Sequence, residues 1–127
     1  NYVAEEVIDG KRMIVTRKGA ISAKAGELAL IPGSMATGSY IVRGLGNEAS
    51  FQSASHGAGR KMSRTAAKKQ FTVGDVERTM RGIEARTDAG VIDEISLAYK
   101  DLDSVIAAES DLVEVVQKLD TILCVKG

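Results

Sequence analysis

Apolar residues come in short runs broken by glycine along the first half of the chain. Along the second half they recur at helical spacing, and the change falls near residue 62. Met13-Ile14-Val15-Thr16 is rich in β-branched residues and predicts a strand. Glu27-Leu28-Ala29-Leu30-Ile31 predicts a second, stopped by Pro32-Gly33. Ser39-Tyr40-Ile41-Val42-Arg43 predicts a third, closed by Gly44 and Gly46. Ser50–Ser55 reads as a fourth, with Phe51 and Ser53 on the face opposite Gln52 and Ala54. Beyond residue 62, Ser63 is placed to cap a short basic helix over 64–69. Thr72 and Asp75 resemble a capping box that opens a helix over about 73–83, ended near Gly82. Leu102, Val105, Ile106, Leu112, Val113, Val116 and Leu119 form one apolar stripe. The stripe predicts either one amphipathic helix or two helices broken near Ala108–Ser110. Thr121-Ile122-Leu123-Cys124-Val125 predicts a final buried strand. The expected class is α+β: a Gly-rich strand and loop half, a helical half and a terminal strand.

Composition narrows this picture. At 127 residues and 13.4 kDa the chain holds one core and little more. Hydrophobic residues at 44% exclude a disordered chain. No apolar run reaches the ~18 residues that a membrane-spanning helix needs, and no signal-peptide pattern opens the sequence. Cys124 is the lone cysteine and no Cys/His cluster suggests a zinc site, so a reducing, cytoplasmic setting is expected. The first residue is Asn1 rather than Met, as in a trimmed domain or a piece of a longer chain.

Seventeen basic and seventeen acidic residues give zero formal charge, which argues against a polyanion partner at first sight. The distribution reverses that impression. Residues 1–70 hold eleven Lys/Arg against five Asp/Glu, a formal +6, and the remainder carries −6. Such asymmetry hints at phosphate or nucleic acid on the basic side, or simply at two differently decorated solvated faces.

Two glycine-rich loops could carry chemistry. Pro32–Ser39 follows a strand, and its small residues and hydroxyls suit a phosphate cradle or an ordinary Pro-Gly turn. It lacks the lysine and spacing of a P-loop. In Ser55-His56-Gly57-Ala58-Gly59-Arg60, His56 is the only histidine and its neighbours are small. An unhindered imidazole can attack phosphorus and form a phosphoramidate, which suits group transfer in two steps. Gly57 and Gly59 would let amides face a phosphate, and Arg60 offers a two-pronged guanidinium. Lys61, Arg64, Lys68 and Lys69 extend the basic character, with Arg64 and Lys68 on one helix side. The aromatics Tyr2, Tyr40, Phe51, Phe71 and Tyr99 are too few for an extended base-stacking platform.

These motifs, in order, resemble the RtcB family of GTP- and manganese-dependent RNA ligases of tRNA splicing and RNA repair. The segments are Pro32-Gly33-Ser34-Met35, Ser39-Tyr40-Ile41, Ser55–Arg60 with Met62-Ser63-Arg64, Val91–Ile95, Ala98–Asp101 and the ending Cys124–Gly127. The resemblance covers essentially the whole chain and looks close to bacterial members.

The resemblance implies a ligase that joins an RNA 3′-phosphate or 2′,3′-cyclic phosphate to a 5′-hydroxyl through a covalent histidine–GMP intermediate, with His56 as nucleophile. It implies that Pro32, Gly33, Ser34, Met35, Ser39, Gly57, Ala58, Gly59, Tyr99, Lys126 and Asn1 line the guanylate, and that Lys18 and Arg60 lie near its phosphates or the RNA. GTP and Mn²⁺ are the implied cofactors. RNA ends and an archease-type activator are the implied partners. Ala36 departs from the glycine that many members carry, which puts the first loop's shape in doubt. The family's Asp, Cys and His metal ligands, and an acidic residue that recognises guanine, lie upstream of the matching region. The 127 residues are therefore expected to be the C-terminal part of a larger catalytic domain, inactive alone. The alternatives are a guanylyltransferase that caps RNA or DNA 3′-phosphates without sealing, or a catalytically incomplete fragment.

Overall fold

The structure is a computed structural model that describes residues 2–126. In chain order its elements are β1 (Tyr2–Ile8), β2 (Lys11–Arg17), β3 (Ala20–Ser22), β4 (Leu28–Pro32), β5 (Ser39–Gly44) and β6 (Ser53–Ser55). Then come α1 (Arg64–Gln70), α2 (Val73–Thr79), β7 (Glu84–Ala85), α3 (Leu102–Ala108), β8 (Val113–Leu119) and β9 (Leu123–Cys124). Short 3₁₀ turns at Glu48–Ser50, Ala89–Glu94 and Ser96–Ala98 complete it. The mixture of helix and strand agrees with the α+β class.

β1 and β2 form an antiparallel hairpin paired from Tyr2 and Arg17 at one end to Ile8 and Lys11 at the other. The turn residues Asp9 (φ 49°) and Gly10 (φ 71°) are both left-handed. That geometry matches strand twist in a two-residue hairpin loop, and Asp-Gly is a strong sequence signal for it. The strand expected over 13–16 lengthens to Lys11–Arg17, and β1 is additional to the expected elements.

β4, β5 and β8 make a three-stranded antiparallel sheet with β5 in the middle. Pro32 ends β4, an edge strand, where its missing N–H leaves no ladder bond unmade. β8 corrects the largest expectation. The stripe 102–119 is one helical turn pair and then a strand: α3 stops at Ala108, inside the expected break, and the chain resumes as β8. Val113, Val115 and Val116 are β-branched and find the open edge of β5, so tertiary pairing outweighs the helical period. The second half is thus not simply helical.

Three smaller expectations also change. The helix after Thr72 ends at Thr79, with Met80 as its cap and Gly82 (φ 85°) in the following turn. Of the fourth strand only Ser53–Ser55 forms, because Phe51 (φ 54°) and Gln52 (φ 49°) are left-handed. The terminal strand shrinks to Leu123–Cys124, pairs in parallel with β7 and is not buried: Ile122 is 82% and Val125 84% exposed. The caps hold as read. Ser63 Oγ accepts from the Ala66 amide at 3.1 Å, and Thr72 and Asp75 exchange both capping-box bonds.

Two apolar clusters carry the packing. One joins the β4–β5–β8 sheet to α3 through Ile31, Val42, Leu102 and Ile106. The other gathers Ala67 of α1, Val76 of α2 and Val91 and Ile95 of the 3₁₀ segment. The hairpin is tied down differently. Arg17 and Glu6 are buried and pair through two bonds of 2.7 and 2.8 Å. Arg17 also donates to Tyr2 Oη at 2.6 Å, Ser53 Oγ at 2.8 Å and the Phe51 carbonyl at 3.0 Å.

Candidate nucleotide site

β3 and β6 pair so that Ala20 faces Ser55, which sets His56 at the strand end opposite Gly19. The His56 amide reaches the Gly19 carbonyl at 3.4 Å. Gly19 is left-handed (φ 76°), and a methyl group there would touch the imidazole at 3.7 Å. The ring is exposed and makes no hydrogen bond among the described residues. It stands at a cleft of about 410 Å³ lined by Pro32, Gly33, His56, Gly57, Ala58, Gly59, Arg60 and Tyr99. Ala58 anchors this loop in the apolar cluster under the sheet. Gly57 passes close to the first loop: a Cβ there would lie 3.0 Å from the Pro32 carbonyl oxygen.

The two loops use their amides in opposite ways. In the first, Gly33 donates to Gly38 O (2.8 Å), Ser34 to Thr37 Oγ1 (2.8 Å), Ala36 to Ser96 Oγ (3.1 Å), Thr37 to Ser34 O (3.4 Å) and Gly38 to Thr121 Oγ1 (3.0 Å). Five donors that a phosphate cradle would need are already taken, so the generic cradle reading of this loop fails. In the second loop the amides of Gly57, Ala58 and Gly59 make no hydrogen bond among the described residues. Gly59 (φ 69°) has open space where a side chain would be. The capacity to receive an anion therefore sits beside the histidine.

The model of the family described as tRNA-splicing ligase RtcB matches residues 1–127. The chain belongs to the RtcB family. It is 61% identical to RNA-splicing ligase RtcB1 of Escherichia coli strain ATCC 25922 over 127 residues, all of this chain and 31% of that protein. RNA-splicing ligase RtcB of Escherichia coli K12 matches at the same identity and coverage. The tRNA-splicing ligase RtcB of Nanoarchaeum equitans is 38% identical over 146 residues, 97% of this chain and 31% of that protein. The chain thus spans about a third of the length of these curated RtcB relatives.

The structure brings some of the residues that the RtcB resemblance singles out into one cleft and separates others. Pro32, Gly33, His56, Gly57, Ala58, Gly59, Arg60 and Tyr99 share the histidine's cleft. Ser34, Met35 and Ser39 line an adjoining cleft of about 340 Å³, with Gly33 common to both. Met35 is buried in the helical cluster and pins the first loop there. Lys18 lines a third depression, on the hairpin side, one residue from the Gly19 that abuts the ring. Asn1 lies outside the described residues. Ala36 is not left-handed, so its place does not demand glycine and the first loop keeps its internal bonds.

Arg60 is held from within rather than extended toward solvent. It donates to Met62 O (3.1 Å), Tyr99 Oη (2.9 Å) and Asp93 O, and its guanidinium lies 4.7 Å from the centre of the Tyr99 ring. Tyr99 in turn donates to Glu94 Oε2 at 2.8 Å, and Lys126 reaches the same oxygen at 3.4 Å. Through Glu94, Tyr99 thereby links Lys126 to the histidine's cleft. Burial and the Glu94 hydrogen bond push the Tyr99 hydroxyl above its ordinary range. Burial pushes Glu94 up, but the Tyr99 hydroxyl, Lys126 and Arg64 outweigh it and hold the carboxyl below its ordinary value. Asp93 is held low chiefly by the Arg64 hydrogen bond at 2.8 Å.

Sequence reasoning missed Asp93 and Glu94 as organisers of the site. Both stood inside the Val91–Ile95 motif, but only the fold brings them against Arg60 and Arg64.

Proposed function

We propose that this chain is the C-terminal part of a GTP-dependent RNA ligase of the RtcB family, with His56 as the nucleophile. The observation that supports this is the exposed imidazole beside unpartnered loop amides, with Gly19 keeping a side chain off the ring. The Nδ1 or Nε2 lone pair attacks the α-phosphorus of GTP, the bond to the bridging oxygen breaks and pyrophosphate leaves. The loop amides face the phosphoryl oxygens as charge builds there. An oxygen of the RNA 3′-phosphate then takes the GMP and the phosphorus–nitrogen bond breaks. The 5′-hydroxyl attacks the activated end and GMP departs. Pro32, Gly33, Tyr99 and, through Glu94, Lys126 form the wall against which the guanine side rests, with Ser34, Met35 and Ser39 continuing it. Lys18 sits near enough to the ring's glycine to meet RNA or nucleotide phosphate.

Among the described residues no three His, Cys, Asp or Glu side chains group to hold a metal ion. The Mn²⁺ of the family would neutralise the triphosphate when bound, and its ligands are assigned to the rest of the ligase. No helix among the described residues is long and apolar enough to cross a membrane.

The test uses the full-length ligase with α-labelled GTP and Mn²⁺. Acid-labile, base-stable label is expected on the protein and is abolished by His56→Ala; label that persists in the variant overturns the assignment. A paired 3′-phosphate and 5′-hydroxyl RNA should emerge as one sealed strand. An end that carries only GMP would instead identify a capping guanylyltransferase.

A further inference from the structure

The residue before the nucleophile is held by a group far along the chain. Glu109 lies just past the end of α3 and is buried, with 7% of its surface exposed. Its Oε2 accepts from the Ser55 amide at 2.9 Å and its Oε1 from the Ser55 hydroxyl at 2.8 Å. Both donors are neutral, and among the described residues no cation is a hydrogen-bond partner of this carboxylate. Burying a carboxylate on neutral donors alone is costly, so the arrangement needs a structural return. Glu109's own backbone is fixed as well, since its carbonyl accepts from Leu112 (2.9 Å) and Val113 (3.1 Å) where α3 turns into β8. A rigid corner of the fold thus grips both donors of Ser55. On its other side Ser55 is fixed by the pairing of β6 with Ala20 of β3. His56 begins where this grip ends.

We propose that Glu109 is a positioning residue that aims His56 by clamping the backbone of Ser55. The inference rests on the reading of His56 as nucleophile. It acts through geometry rather than charge, because an amide can make the same two bonds. In Glu109→Gln the carbonyl would accept from the Ser55 amide and the NH₂ would donate to the Ser55 hydroxyl. Glu109→Ala leaves both Ser55 donors without their partner and the loop free to drift.

The experiment is single-turnover labelling of the full-length ligase by GTP, with thermal unfolding of each variant alongside. Displacing a nucleophile by about 1 Å costs on the order of 100-fold in rate. Glu109→Ala is expected to slow label formation by about 10- to 100-fold at saturating GTP, with the half-saturating GTP concentration within about twofold of wild type. Glu109→Gln should restore the rate to within about threefold. Wild-type labelling by Glu109→Ala overturns the proposal. So does a folded Glu109→Gln that labels as slowly as Glu109→Ala, because charge would then be what matters. If Glu109→Ala does not fold, Glu109→Asp decides: the carboxylate is kept but drawn back by one methylene from both Ser55 donors, and a folded Glu109→Asp that labels at the wild-type rate overturns the clamp. Wild-type protein that takes no label, or label that survives His56→Ala, would instead defeat the nucleophile assignment itself.

Discussion

Glycines in this chain are required for three different reasons, and the reasons predict different outcomes. Gly19 keeps the imidazole unobstructed, and Gly57 allows the histidine loop to approach Pro32. Gly38 is a matter of stability: it is left-handed (φ 70°), and a side chain there would collide with the Leu119 carbonyl at the end of β8. A non-glycine residue forced into such backbone costs about 1–3 kcal/mol, before the collision is counted. Gly38→Ala should therefore lower the thermal midpoint, as a melting curve will report. The histidine was legible in the sequence because a lone imidazole among small residues is conspicuous. The grip of Asp93 on Arg64 was not, since it depends on a pairing formed only in the fold. Arg60 shows the same limit from the other side. Its neighbourhood in the sequence suggested a phosphate ligand, whereas its guanidinium is spent largely on Tyr99, Met62 and Asp93.

The hairpin β1–β2 carries a polar lock to the rest of the chain beside its buried Ile8 and Val15. Arg17 bonds Glu6 and Tyr2 within the hairpin and Ser53 and Phe51 outside it, while Lys24 approaches Glu6 at 3.6 Å. The Arg17 hydrogen bond holds the Glu6 carboxyl below its ordinary value against the opposing effect of burial. A depressed carboxylate stabilises the fold above its unfolded pKa, about 4.3, and loses that contribution as pH falls through the folded value. Stability should thus be level from neutral pH to about 5 and decline below about 4. Glu6→Gln leaves Arg17 buried without its counter-charge, which costs on the order of 3–5 kcal/mol, and it removes part of the acid-side slope. Denaturant titrations of both proteins across that range will check this. The caps of α1 and α2 were readable because Ser63, Thr72 and Asp75 act over three residues. β8 was not, because its apolar positions satisfy a helical period and only the free edge of β5 decides otherwise.

For the molecule as a whole, the division of charge between the halves turns out to be a seam. Asp93 and Glu94 from the acidic half bind Arg64 and Lys68 from the basic half, and Glu94 lies 3.9 Å from Arg60. Much of the +6 is thus consumed inside the protein. Lys61 and Lys69 form no ion pair among the described residues and are the cations of that segment that an RNA backbone would meet under the proposed function. Replacing both by alanine should flatten the salt dependence of single-stranded RNA binding by a slope of about 1.4, and filter binding across a salt series will measure it. Replacing Lys68, already engaged by Asp93, should change the slope less. The pairing of β5 with β8 has a last consequence, in the order of synthesis. Chains emerge from the ribosome N-terminal end first. The loop carrying His56 is made well before Glu109, and β5 is made before the strand that covers its second edge. During that interval one side of the sheet is open, and the imidazole is present without the Ser55–Glu109 bonds beside it. On the reading of His56 as nucleophile, a growing chain would hold it idle until the segment carrying Glu109 is made.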